Sequence, residues 1–382
     1  MASALLLASS AFAQTPTLNW YGFVRNYFVY DSHESSAGTE ELYYYMPKDS
    51  DNKGTANWSA LTSRLGLDVK GYEIQGYKIA AKIETDFYLK NGTTATLRMR
   101  QAYLTVGKND RSWKIGQAWH PMAADFPDIF SLEIGVPFGP FSRTPQINFD
   151  YKVSEHLNVN AVALWQMQYT STGPDGAVAN YIKYSGIPEI YAGIGYKDGN
   201  GLIKAGVDVL SIKPVQKMKH NLTTVNFFEY GQVKAGDWLF KEKIVFTQDG
   251  SHMNLVGGYG VSGISQDGDY IYTPTQTLTG WASITYKKSK TWVPVLFIGA
   301  LKCFGTKDEV IGDFWCKNSA ANVSAMYRIQ PEITYNLGKL QLGAEWMFTA
   351  VNYGKPDAFK QASDNLHWVK NNRLQMIVKY SF

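Results

Sequence analysis

The last ten residues, Arg373-Leu-Gln-Met-Ile-Val-Lys-Tyr-Ser-Phe382, alternate in character. Leu374, Met376, Val378, Tyr380 and Phe382 share one face, while Arg373, Gln375, Lys379 and Ser381 share the other. Ile377 is the single exception. A period of two residues marks a β-strand with one apolar and one wet face. The pattern recurs upstream. Leu65, Leu67 and Val69 oppose Arg64, Asp68 and Lys70, and Ile79, Ala81, Ile83 and Phe87 oppose Lys78, Lys82, Glu84 and Asp86. Trp238, Phe240, Ile244 and Phe246 oppose Lys241 and Lys243, and Tyr327, Ile329, Ile333 and Tyr335 oppose Arg328, Gln330, Glu332 and Thr334.

About sixteen such segments follow one another: 18–30, 59–70, 77–89, 95–107, 111–119, 143–151, 156–169, 187–197, 201–211, 223–233, 237–248, 277–286, 291–301, 322–335, 340–351 and 371–382. Their connections alternate in length. Lys197–Gly201, Lys234–Asp237 and Asn336–Lys339 read as tight hairpin turns. The segments 31–58, 120–142, 170–186, 249–276, 302–321 and 352–370 read as long polar loops. Short turns on one rim, long loops on the other and an even strand count predict a closed antiparallel transmembrane β-barrel. A soluble sandwich has no use for a second apolar surface. Pro294 and Pro331 fall inside proposed strands and predict bulges or strand ends, since a closed barrel has no free edge to host them.

Composition agrees. Charged residues make up 18% of the chain, below the roughly 25% of an average soluble domain, and aromatics reach 14%. After Met1–Ala13 no run of about 18 apolar residues appears, so no helical span is predicted. Net charge is only +4 and the basic residues are scattered, which argues against a nucleic-acid partner. Leu5–Leu7 and the small-x-small run Ala11-Phe12-Ala13 predict a signal peptide over 1–13, although no Lys or Arg precedes its apolar core. The rest, 14–382, reads as one barrel domain. Export to an oxidising compartment predicts a disulfide between Cys303 and Cys316, the only cysteines.

Charged side chains at alternate positions cannot face lipid, where Arg or Lys at mid-bilayer costs roughly 2–4 kcal/mol. They must line the lumen, and a lumen lined by charge holds water. The expected function is therefore passive diffusion of small hydrophilic solutes through an outer-membrane channel.

Particular residues carry a family resemblance. Tyr380-Ser381-Phe382 resembles the C-terminal signature of outer-membrane proteins. Arg98-Met-Arg-Gln-Ala-Tyr-Leu-Thr-Val-Gly107, followed by Trp113-Lys-Ile-Gly-Gln-Ala-Trp119 and a long loop, resembles the general trimeric porins, and within them the DcaP-like group. Ser63-Arg64-Leu65-Gly66 fits their second strand. The resemblance implies that segment 120–142, with Asp125, Asp128 and Glu133, folds into the lumen. It implies an opposing wall of Arg64, Arg98, Arg100 and Arg143, with Arg25 on the first strand. Lys82, Glu84 and Arg328 complete the expected pore lining. Such an arrangement sets a transverse field with a modest preference for anions. The resemblance also implies a homotrimer, outer-membrane lipid and lipopolysaccharide as surroundings, and recognition of Phe382 by the barrel-assembly machinery. The loop that latches neighbouring subunits in that family shrinks here to about Lys90–Thr94, so the barrel walls are left to associate. The Pro-Glu-Phe-Gly run common in general porins is absent from 120–142.

Two other classes compete. A barrel hydrolase would carry a catalytic motif, and no Gly-x-Ser-x-Gly, His-Glu-x-x-His or Gly-x-x-x-x-Gly-Lys run is present. A plugged binding or adhesion barrel would need a folded domain before the first strand, where only about Gln14–Thr17 is available. His33, His120, His156, His220, His252 and His367 are dispersed, and none has metal-ligand spacing. No cofactor or metal is expected. His120 stands apart only because it opens segment 120–142.

Overall fold

The computed structural model describes residues 16–37, 44–90 and 94–382. The predicted signal peptide and the centre of the shortened latch segment lie outside these residues. Sixteen antiparallel strands close into a barrel. Closure is made by Thr17–Asp31, which pairs on one side with the last strand, from Phe23↔Ser381 to Asp31↔Arg373. On its other side it pairs with the second strand, from Thr17↔Lys70 to Phe23↔Arg64. Each of the sixteen predicted segments overlaps one wall strand.

One rim carries tight hairpins. Asp198↔Gly201, Ala235↔Trp238 and Leu337↔Leu340 each close a two-residue turn. Gly199, Gly236 and Gly338 adopt φ of 46°, 58° and 59° there, the left-handed backbone that matches the strand twist. The opposite rim departs from prediction. The connection placed at 352–370 is mostly strand, because Leu340–Pro356 and Ala362–Ser381 run on together and leave only a short turn. Ser363 to His367 are exposed without alternation, so this pairing above the apolar belt leaves no period-two trace. Likewise 249–276 holds Gly257–Ile264 and the start of Tyr270–Tyr286, and 302–321 holds Phe314–Lys317; these pieces pair into an outer flap on the rim. The second strand is split into Thr55–Ser59 and Arg64–Ile74, with Thr62 between them at φ 72°.

The prolines fit in different ways. Pro294 sits near the start of Trp292–Thr306, outside the ladder to Tyr270–Tyr286, which ends at Thr285↔Val295. Pro331 is neither at an end nor in a bulge. It interrupts the ladder to Leu340–Pro356 between Ile329↔Phe348 and Glu332↔Glu345, and the register is the same on both sides.

The face assignment holds. Leu374, Met376, Val378 and Tyr380 are each about half exposed on the outer surface, at 51%, 53%, 50% and 52%, while Arg373 and Gln375 are buried inside at 2%. Trp20, Val24, Ile194, Ile244 and Ile298 continue the apolar belt around the barrel. The inner face of Tyr270–Tyr286 is a polar ladder of Thr275, Thr277, Thr279, Ser283 and Thr285. Ile377 breaks the alternation for a reason. It points inward and packs with Phe130 of segment 120–142 over Gly343, where an added Cβ would lie 2.8 Å from Phe130 and 3.0 Å from Ile377. The apolar core is thus inside the barrel, where Met122, Val136, Phe138 and Phe141 meet Val245, Trp281 and Phe297. Gly299 leaves the space that Phe138 fills, since a Cβ there would come within 2.4 Å of the ring.

Cys303 and Cys316 are free thiols, and the expected disulfide is not formed. Cys303 lies inside the wall strand Trp292–Thr306, buried in the lumen core, while Cys316 belongs to the short rim strand Phe314–Lys317. The stretch between them is not one floppy loop, so its ends are placed by two different strand ladders.

Candidate channel constriction

Segment 120–142 starts and ends at one place, with the amide of His120 donating to Ser142 O at 3.0 Å. Between those ends it lies against side chains of several wall strands. Lys243 Nζ, fully buried, donates to the carbonyls of Met122 (2.8 Å) and Asp125 (2.6 Å). Lys204 pairs with Asp125 at 2.8 Å. Lys241 and Lys287 both pair with Asp128, the latter at 2.8 Å. Glu332 accepts from the Phe130 amide at 2.9 Å, and Gln330 donates to Ser131 at 3.0 Å. Arg373 joins Glu133 (3.0 Å) to Asp31 (2.9 Å), and Arg328 donates to Val136 O at 3.3 Å. Each apolar residue of the segment that turns outward finds the lumen core; each carboxylate finds a cation.

The expected arginine wall is present but divided. Arg98 makes a two-pronged pair with Asp86 at 2.8 and 2.9 Å, and Arg100 bonds Glu84 at 2.8 Å and Asp86 at 2.7 Å. Arg64 stands 3.6 Å from Glu84. Lys82 is held by Asp68 and Tyr21, each at 2.8 Å. Arg25 bonds Thr62 at 2.6 Å. Arg143 adjoins this row and shares the Trp119 ring with Arg100, whose guanidinium lies 5.7 Å from the same centroid. It is fully buried among Trp119, Phe141 and Tyr169, whose ring centroids lie 4.8, 5.2 and 5.2 Å away, and it donates to Tyr169 Oη at 2.7 Å. Arg328 is equally buried, beneath the inward segment, and Glu133 is 1% exposed. Arg143, Arg328 and Glu133 are thus the buried members of the expected lining.

Beside the segment is a cavity of about 510 Å³. Its charged lining is Arg25, Arg64, Arg100, Lys287 and Lys379 against Asp128 and Glu332. Five cations face two carboxylates across it; Lys287 is paired with Asp128, and Arg64 and Arg100 also meet Glu84 of the wall behind them. A second cavity of about 300 Å³ lies across the segment, bordered by Lys114, Lys204, Asp125 and Asp150. Sequence reasoning put Lys241, Lys243, Arg373 and Lys379 on the wet face but did not assign them to the constriction. The segment partners of Lys241, Lys243 and Arg373 are more than a hundred residues away in the chain, so the signal for their role was only the face.

No protein-family model and no curated protein matches the chain. Solved structures do. The outer membrane channel DcaP of Acinetobacter baumannii aligns over 96% of this chain and 97% of its own, at 21% identity and a TM-score of 0.73. Salmonella typhi OmpF, in complex with daunomycin, aligns over 96% and 97% at 10% identity with a TM-score of 0.60. A trimer form of OmpT, an outer membrane protein of Vibrio cholerae, aligns over 96% and 100% at 13% identity with a TM-score of 0.56. The chain has the fold of the outer-membrane porins. Among these three the likeness is greatest to the DcaP channel, the group its strand motifs resemble.

Proposed function

We propose that this protein is an outer-membrane porin that passes small anionic solutes by passive diffusion, selecting them by size and charge beside segment 120–142. The carrying observation is the 510 Å³ cavity with its excess of cations. The segment's carboxylates would oppose that excess, but Asp125 is matched by Lys204 and Asp128 by Lys241, cations that lie outside the five. A cavity of this size falls within the range of small-molecule sites. In a wet lumen one unmatched charge offers an ion about 1 kcal/mol at 4 Å, so selectivity of a few-fold is expected. Reversal potentials in planar bilayers under a salt gradient test the reading. Anion preference that weakens as salt rises supports it, and cation preference at low salt overturns it.

The reading includes a homotrimer in lipid and lipopolysaccharide, made from a chain whose residues 1–13 direct export. Glu229 and Glu242 support association through the wall. They stand on the outward face around Gly231, in a notch of about 540 Å³ flanked by Ile203, Phe240 and Ile284. Carboxylates are poorly placed against lipid, and a neighbouring barrel would cover them. Enzyme action is disfavoured by burial. The one cluster of histidines and carboxylates found among the described residues, at His120 and His252, is 0–1% exposed and closed to substrate.

A further inference from the structure

We propose that His120, Glu189, Asp208 and His252 bind one divalent transition-metal ion, of the zinc type, which staples the constriction segment to the barrel wall. The four come from four separate segments. His120 opens the inward segment, and Glu189 is the first residue of Glu189–Asp198. Asp208 lies in Gly201–Ile212, and His252 sits in the turn Gly250–Met253 on the long-loop rim. One donor atom from each lies within 4.8 Å of the others, and all four residues are buried.

The donor set points to a metal in three ways. His120 Nε2 is 2.9 Å from Glu189 Oε1 and 3.8 Å from Asp208 Oδ1, and His252 Nε2 is 3.1 Å from Glu189 Oε1. A tetrahedral ion with bonds of about 2.0–2.2 Å needs donors roughly 3.4 Å apart, and the three separations bracket that spacing. Second, Glu189 Oε2 and Asp208 Oδ1 are fully buried and have no hydrogen-bond partner among the described residues. Buried carboxylate oxygens are ordinarily satisfied, and a cation between them would do so. Third, two carboxylates with two neutral imidazoles carry two negative charges, which a divalent ion cancels. Two nitrogen donors select zinc-type ions over calcium or magnesium, which take oxygen ligands.

The surroundings orient the donors. Asn226 Nδ2 donates to Asp208 Oδ2 at 2.9 Å, and its own carbonyl is held by the Gln248 amide at 3.0 Å, leaving Asp208 Oδ1 turned to the cluster. Such outer bonds fix the orientation of the ligands that touch a metal. The Met122 amide donates to His120 Nδ1 at 3.2 Å. Metal at Nε2 displaces the proton there; Nδ1 then carries a proton and gives up this long contact. Four protein donors close the site, which makes it structural rather than catalytic. Its position gives it leverage. The amide of Phe141, near the far end of the inward segment, donates to Met253 O at 2.8 Å, so one ion would fasten both ends to the same turn.

The test uses the untagged full chain, extracted from outer membranes in detergent. It is equilibrated with excess zinc, passed through a desalting column and analysed for metal by mass spectrometry, beside the variants His252→Gln and Asp208→Asn. The expected result is about one zinc per wild-type chain and little in either variant, with heat-modified gel mobility unchanged at room temperature. Zinc should also raise the temperature at which the wild-type barrel loses its folded mobility, and should not do so for the variants. A wild type that retains no zinc, or variants that retain as much, overturns the proposal; the carboxylates would then share a proton. Should the variants fail to assemble, cobalt(II) added to wild type decides. An intense four-coordinate visible spectrum supports the site, and the pale spectrum of aqueous cobalt overturns it. These readouts do not depend on conductance, so they stand apart from the anion-channel reading.

Discussion

The two halves of the barrel use opposite charges in opposite ways. In the first half, Arg98 and Arg100 are matched by Glu84 and Asp86 on the adjacent strand, so charge is paired within the wall. In the second half, Lys204, Lys241, Lys243 and Lys287 reach off the wall to the carboxylates and carbonyls of segment 120–142. Side-chain chemistry accounts for the division. The planar guanidinium fork suits a two-pronged bond to a carboxylate fixed at strand spacing, whereas a lysine is a point charge on a flexible stem that can follow an irregular loop. The arginine wall is rigid, and the lysine wall is an anchorage.

The largest effect should come where the two systems meet, at Arg373. It is 2% exposed and bridges Asp31 of the first strand to Glu133 of the inward segment. Arg373→Ala leaves Asp31 to Asn371 and Glu133 to Arg328 at 3.9 Å, so the loss should approach the about 3–5 kcal/mol of a broken buried pair. The folded gel mobility should collapse at clearly lower temperature, and an unchanged transition would show that this bridge carries nothing. Arg98→Ser should cost less, because the completely buried Asp86 keeps Arg100 at 2.7 Å. Its companion prediction concerns selectivity. If Arg98 is matched within the wall, the reversal potential of surviving channels should move little, while Arg64→Ser should move it further toward cations.

The outer face offers a contrast of roughly 2–4 kcal/mol near mid-bilayer. Val378→Arg puts charge into lipid, whereas Gln375→Arg puts it inside, opposite Glu345. Assembly and heat resistance should fall for the first and persist for the second. Equal behaviour would mean that the strand is out of register by one residue. Smaller still is the effect of Lys287→Ala. That side chain is 46% exposed, and such pairs contribute at most about 1 kcal/mol. Stability should hardly change, since Asp128 keeps Lys241 and Thr285, but anion preference should drop measurably at low salt. The drop should fade as ionic strength rises, since screening acts over about 10 Å at 0.1 M. Unchanged selectivity would separate the anchorage from the field.

By itself the sequence determined the strand number, the order of the strands and which residues face lipid or lumen. These follow from a period-two pattern that each strand carries locally, and a single slip would turn every side chain to the wrong face. It did not disclose the strands above the apolar belt, because water on both sides removes the alternation on which the reading depends. Nor did it disclose partners. Cys303 and Cys316 are close in sequence but belong to separate ladders, and no bond joins them. Asp128 and Lys241 are 113 residues apart and meet, as do His120 and Glu189 at a separation of 69. Arg143, read as a pore residue, is enclosed by aromatic rings that come from its own strand's neighbours and the adjoining loop. Closure of the barrel brings distant inward positions to one depth, and the path of segment 120–142 then selects which of them touch. That path follows from cavities and counter-charges supplied by several strands together, so only the tertiary structure could decide it.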